Sequence, residues 1–150
     1  MRNLQERTPQ EVFEEHLRLA QEGDLETDLE RNYADDVVFL TCYGKFEGKL
    51  GAKKLALLLD TQLPSGSFLY TNRQIADDVA FLEWEGEGPT MRIRDGADSY
   101  VIRDGKIRKQ TIHYRLEPAA PIPMEEDEDL DEEYEVPGET ILPSDESPPA

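Results

Sequence analysis

The sequence holds a single cysteine, Cys42, among 150 residues. An intramolecular disulfide and a cysteine-based zinc site are therefore excluded, and a reducing cytoplasmic setting fits. Long hydrophobic runs are missing as well. The opening "MRNLQERTPQEVFEEH" is charged throughout, with the apolar length of neither a signal peptide nor a spanning helix, so a soluble protein without membrane contact is expected. Positive charge is scarce: 16 Lys and Arg stand against 34 Asp and Glu, a net charge of −18. That balance argues against nucleic acid as a partner, because phosphate recognition needs a cationic face. From Pro118 to Ala150 basic residues are absent altogether, while 12 acids and seven of the 10 prolines gather there. Such a stretch has too little apolar surface to offset the entropy of ordering it. The chain is thus expected to divide into one globular domain over 1–117 and a disordered, acidic, proline-rich tail over 118–150 that aids solubility.

Within the domain, local punctuation sets out the elements. Thr8, Pro9 and Glu11 form a capping box with proline in the first turn, and Gly23 ends the helix they begin. Val12, Phe13, His16, Leu17, Leu19 and Ala20 share its apolar face. Asp24 caps a second short helix, "LETDLERNY", which turns Leu25 and Leu29 inward. The β-branched and aromatic "DVVFLTCY" reads as a strand with Cys42 as a small core residue. "GKFEGKLGAKKLALLLDTQL" reads as a glycine-marked turn followed by a third helix through Leu55, Leu58 and Leu59. The remainder, "SFLYTNRQIADD", "VAFLEWEGEG", "TMRIRDGADSYVIR" and "KIRKQTIHYRLE", is strand-like and broken by turn signals. Two helices, a strand, a helix and an antiparallel meander make an α+β domain with its helices on one face of the sheet.

The last hairpin sets a register. A two-residue turn at Asp104-Gly105 places Ile102 opposite Ile107, Tyr100 opposite Lys109 and Asp98 opposite Thr111. One face then carries Asp98, Tyr100, Ile102, Ile107, Lys109, Thr111 and His113, and alternation alone does not say whether it points inward.

In their order and spacing, "EGDLE", "YADDVVF", "GKFEGKLGAKKL" and "DSYVIRDGKIRKQTIHY" resemble the nuclear transport factor 2-like superfamily, and within it the SnoaL-like and ketosteroid-isomerase-like branch. The resemblance spans about residues 8 to 116. It implies a cone-shaped, cystatin-like fold in which a curved antiparallel sheet and three helices enclose one apolar pocket, with two chains paired through the sheet as a homodimer. It also implies that Asp98 points into the pocket, where such an acid stays protonated and donates to a developing oxyanion. The helix tyrosine that accompanies this acid corresponds to His16, and the strand aspartate that serves as general base corresponds to Thr41. Threonine cannot take a proton at neutral pH, so steroid isomerisation is rejected.

The candidate catalytic residues are His16, Asp98 and His113, since a histidine beside a carboxylate makes an acid-base pair. Thr41, Tyr43, Trp84, Tyr100 and Thr111 are the candidate ligand-binding residues. No short ligand motif points to a metal, and no cofactor is implied. The expected partner is a small hydrophobic or carbonyl-containing molecule. An acid-base enzyme, a non-catalytic binding module and a protein-interaction domain remain open, because one fold carries all three.

Overall fold

The computed structural model of the chain describes residues 3–119; the tail expected over 118–150 lies outside them beyond Ala119. A short 3₁₀ turn, Leu4–Glu6, precedes helices α1 (Pro9–Glu22) and α2 (Leu25–Asn32), strands β1 (Tyr33–Thr41) and β2 (Gly44–Glu47), and helix α3 (Gly48–Gln62). Strands β3 (Ser67–Ala76), β4 (Val79–Glu87), β5 (Met91–Arg103), β6 (Lys106–His113) and β7 (Leu116–Pro118) follow. The capping box is formed in both directions: the Thr8 amide donates to Glu11 Oε1 at 2.8 Å and the Glu11 amide to Thr8 Oγ1 at 3.1 Å. Gly23 ends α1 in the left-handed region at φ +75°, and the Asp24 side chain accepts from the Thr27 amide to start α2.

The strands form one sheet in the order β2-β1-β6-β5-β4-β3, with β7 added to β5. All pairings are antiparallel except β1 on β6, which is parallel, so the sheet is mixed where an antiparallel one was expected. Register shifts interrupt β1–β6, β3–β4, β4–β5 and β5–β6. The one-residue bulges among the antiparallel pairs add local twist, and the curved sheet is a half-open cone. Helix α1 crosses its inner face over β4, β5 and β6, and α3 closes over β1. Phe13, Leu17, Phe39, Leu82, Trp84, Tyr100 and Ile102 form much of the core between them.

The bulge in β6 corrects the expected register. Ile102 opposes Ile107, but the next pair is Val101 with Lys109, so Arg108 is an extra residue on β6. Tyr100 consequently opposes Gln110, Asp98 opposes Ile112 and Ser99 opposes Thr111. One inserted residue moves every later side chain of β6 to the other face. Gln110 points inward and is buried, whereas Lys109, Thr111 and His113 lie on the exposed outer face. Cys42 is exposed rather than part of the core. Among the described residues, no helix is long and apolar enough to cross a membrane.

Candidate functional site

Five polar side chains are buried among the described residues: His16, Asp28, Asn32, Asp98 and Gln110. They meet inside the cone. Asp98, on the inner face of β5, accepts from the Trp84 indole N–H at 3.0 Å through Oδ1 and from Gln110 Nε2 at 3.0 Å through Oδ2. The Tyr33 hydroxyl donates to Gln110 Oε1 at 2.7 Å, which turns the amide nitrogen toward Asp98. The Tyr100 hydroxyl lies 3.3 Å from Asp98 Oδ2 and 3.3 Å from His16 Nε2. On the far side of the imidazole, His16 Nδ1 is 2.7 Å from Asp28 Oδ2, and Asn32 Nδ2 donates to Asp28 Oδ1 at 2.8 Å. The Arg7 guanidinium donates to Asn32 Oδ1 at 2.9 Å and fixes that amide. Sequence spacing explains the delivery: His16 lies on the buried face of α1, while Leu25, Asp28, Leu29 and Asn32 form the inward stripe of α2.

Burial sets the electrostatics. It pushes the Asp98 carboxyl up to about 6, against the opposing pull of the Trp84 and Gln110 hydrogen bonds, the His16 charge and the Tyr100 hydroxyl. Desolvation, followed by the negative charge of Asp98, raises the Tyr100 hydroxyl well above the ordinary phenolic range. Burial likewise raises Tyr33 far up, with Asp28 and then Asp98 adding to it. An acid that titrates near neutrality in a dry site is suited to exchange protons at physiological pH.

Trp84 and Tyr100 lie against Asp98, each with a polar atom within hydrogen-bond reach of the carboxylate. An aromatic ladder runs from there to the surface: Phe68 and Tyr114 flank Trp84 with ring centroids 5.8 and 5.5 Å away, and Tyr43 lies 5.7 Å from Tyr114. Gln62, at the end of α3, ties the outer rungs together: its Nε2 donates to the Tyr43 hydroxyl at 3.0 Å and its Oε1 accepts from the Tyr114 hydroxyl at 2.5 Å. Tyr43 is 44% exposed. Two hollows of about 430 and 420 Å³ lie elsewhere at the surface, one between α1 and β3 against Leu17 and Tyr70, the other around Arg94, Asp95 and Arg115.

Of the residues singled out from the sequence, His16, Asp98, Tyr100 and Trp84 converge. Tyr43 stands at the outer end of the ladder. Thr41 is spent on the β1–β2 turn, where its hydroxyl donates to the Gly44 carbonyl and accepts from the Tyr43 amide. Thr111 and His113 are on the outer face, on the opposite side of the sheet from Asp98. The sequence reading missed Asp28, Asn32 and Gln110. A polar residue on the Leu25–Leu29 stripe was a usable signal for Asp28, while the bulge hid Gln110. Among the described residues, no three His, Cys, Asp or Glu side chains gather closely enough to hold a metal ion.

This architecture is the nuclear transport factor 2-like fold. Solved structures with it include a nuclear transport factor 2-like protein of unknown function from Burkholderia xenovorans, with a TM-score of 0.62 and 16% identity over 79% of this chain and 91% of that one. A protein assigned as a SnoaL-like polyketide cyclase from Mesorhizobium loti gives a TM-score of 0.57 and 19% identity over 72% of this chain and 100% of its own. TerC, co-crystallised with polyporic acid, gives a TM-score of 0.57 and 20% identity over 69% and 88%. No family model and no curated protein matches the sequence.

Proposed function

We propose that the chain is a SnoaL-like small-molecule protein that takes a flat, hydrophobic compound bearing carbonyl or hydroxyl groups and performs cofactor-independent acid-base chemistry on it through Asp98. The observation that carries this reading is the buried run Asp98, Tyr100, His16, Asp28. Ionisable groups cost several kcal/mol each to desolvate, and apolar replacements of similar volume commonly leave a core as stable or more so. A core assembled only for stability has no need of four such groups in line, and clusters of this kind concentrate at functional sites. The polyketide-cyclase assignment of one solved neighbour and the co-crystallisation of another with polyporic acid support the ligand class.

The ligand enters at the Tyr43 end. Tyr43 and Tyr114 swing aside, their hydroxyls exchange Gln62 for the ligand, and the compound stacks along the ladder toward Trp84 and Asp98. Thr41, which the resemblance aligns with the family's basic aspartate, cannot take a proton, so Asp98 itself takes and returns it. The test is calorimetric titration with a panel of hydroxylated quinones and polycyclic ketones, on the native chain and on Asp98→Asn. Saturable binding that weakens at least about tenfold in the variant, a loss of about 1.4 kcal/mol, is the expected result; binding by no compound, or binding indifferent to Asp98, overturns the proposal.

Asp98 already accepts from Trp84, Gln110 and Tyr100, which favours one alternative, a binding module that uses Asp98 only to orient its ligand. It predicts the same binding with no chemical change in the ligand after prolonged incubation. Pairing of two chains belongs to the same proposal: Leu40 and Val79, 53% and 47% exposed, lie with Phe81 and Val101 on the helix-free face of the sheet, and a dimer through that face would cover them. Sedimentation of the native chain and of Phe81→Glu checks it, a monomer in both being the contrary outcome.

A further inference from the structure

The hydrogen positions around Tyr100 are constrained from both ends. Asp98 Oδ1 is committed to the Trp84 N–H, and Asp98 Oδ2 accepts from a Gln110 amide that Tyr33 holds in place. At the other end, both Asp28 oxygens are engaged, one by His16 Nδ1 and one by an Asn32 amide that Arg7 holds in place. What remains unassigned is a three-atom line: His16 Nε2, the Tyr100 oxygen and the free lone pair of Asp98 Oδ2. The hydroxyl stands 3.3 Å from each neighbour and has one hydrogen to give. It cannot serve both.

Two arrangements satisfy the line. In one, His16 is an imidazolium whose Nε2–H donates to the Tyr100 oxygen, and the Tyr100 O–H donates to an ionised Asp98. In the other, a protonated Asp98 donates from Oδ2 to the Tyr100 oxygen, and the Tyr100 O–H donates to neutral Nε2. We infer that Asp98 and His16 share one proton through the Tyr100 hydroxyl, so that Asp98 is converted between base and acid inside the closed core. In the exchange the Nε2–H bond breaks as a new Tyr100 O–H forms, and the old Tyr100 O–H breaks as the Oδ2–H forms. One positive and one negative charge vanish together, and the net charge of the core is unchanged.

The surroundings act on the line from both ends. Burial disfavours the charged pair, and Asp28 Oδ2 stands 2.7 Å from the imidazole on its far side. The other titratable groups facing the pair are Tyr33 on β1, Tyr70 on β3 and Tyr114 beyond β6, with Arg7 behind Asn32. Burial raises all three phenols, Tyr70 to about 12, so none of them competes for the proton. The supply of a proton to a ligand rests on the function proposed above; the sharing itself does not.

The experiment is a pH titration of the full chain without ligand, following the His16 ring nitrogens by ¹⁵N NMR and the Asp98 carboxyl carbon by ¹³C NMR, with exposed His113 as internal reference. Sharing predicts that both signals report the same two macroscopic midpoints, separated by more than about one pH unit, because coupled sites titrate as a pair. In Tyr100→Phe each signal is expected to collapse to one midpoint of its own. A single, separate midpoint for each group in the native chain overturns the inference, as does a Tyr100→Phe chain that keeps both shared steps. Because no ligand is present, failure here leaves the binding titration on Asp98→Asn to decide the proposed function independently.

Discussion

The indole of Trp84 rests on Gly96, its partner across the β4–β5 ladder, so closely that a β-carbon at Gly96 would fall within the van der Waals envelope of the ring. Glycine at 96 is what lets Trp84 lie down on the sheet and donate its N–H to Asp98 at 3.0 Å. Gly96→Ala is expected to destabilise the fold by about 1–3 kcal/mol, the cost of overpacking a filled core, and to lift the indole from the carboxylate. The chain has one tryptophan, so its emission reads that displacement directly. A red-shifted spectrum with a lowered melting temperature is expected; an unchanged spectrum would show that neighbouring side chains absorb the added methyl.

The raised carboxyl of Asp98 makes stability depend on pH with a definite sign. In the unfolded chain this group titrates near 3.8, and in the fold burial moves it to about 6. Between those values the folded state holds the extra proton, so the contribution is fully present below about pH 4 and lost as pH rises through 6. A shift of about two units corresponds to about 3 kcal/mol. Glu15, held low first by its hydrogen bond from Arg31, acts in the opposite sense. The quantity to measure is therefore the stability difference between the native chain and Asp98→Asn in urea, at pH 4 and pH 7.5. The native chain should lose ground by about that amount relative to the variant as pH rises, and a flat difference would contradict the assignment.

Arg7 clamps elements that are distant in sequence. Its guanidinium donates to Glu15 Oε1, Asn32 Oδ1 and the carbonyls of Arg31 and Gly105 at 2.7–2.9 Å, and its side chain is 8% exposed. Arg7→Ala leaves the Asn32 amide and the Arg31 and Gly105 carbonyls without this donor and is expected to cost about 3 kcal/mol. Arg7→Lys should recover only part of that, because an ammonium cannot reproduce the planar fork. Urea unfolding of the pair checks it, and full recovery by lysine would mean that charge alone matters.

Tyr43 offers a test of the entrance that leaves the core alone. Tyr43→Ala removes a half-exposed ring and its bond to Gln62, and its effect on stability should stay within about 0.5 kcal/mol, as for ordinary surface substitutions. Loosening Tyr114 in this way should admit acrylamide to Trp84 and raise its quenching constant. Quenching that stays at the native value would place the mouth elsewhere.

The parts of the fold that could be read in the sequence are those decided locally. The Thr8–Glu11 box, the Gly23 stop, the Asp24 cap and the Asp104-Gly105 turn each act within a few residues, and each stands where the sequence puts it. Four phrases in order were enough to place the architecture, and with it the inward direction of His16 and Asp98. What could not be read was decided at long range. The four-residue β2 is too short to show a period, and the parallel docking of β1 on β6 depends on contacts about 70 residues apart. The extra residue at Arg108 has no signature in "KIRKQTIHY", yet it exchanged Gln110 for Lys109, Thr111 and His113 in the interior.

The parallel pairing of β1 with β6 also joins two distant stretches of the chain. Residues 33–41 pair with residues 107–112, a long-range contact of the kind whose loop closure is entropically costly and slows folding. His16 and Asp28 precede β1 in the chain, and Asp98, Tyr100 and Gln110 lie on β5 and β6. The hydrogen-bonded line through Tyr100 therefore exists only where both halves of the chain are packed together.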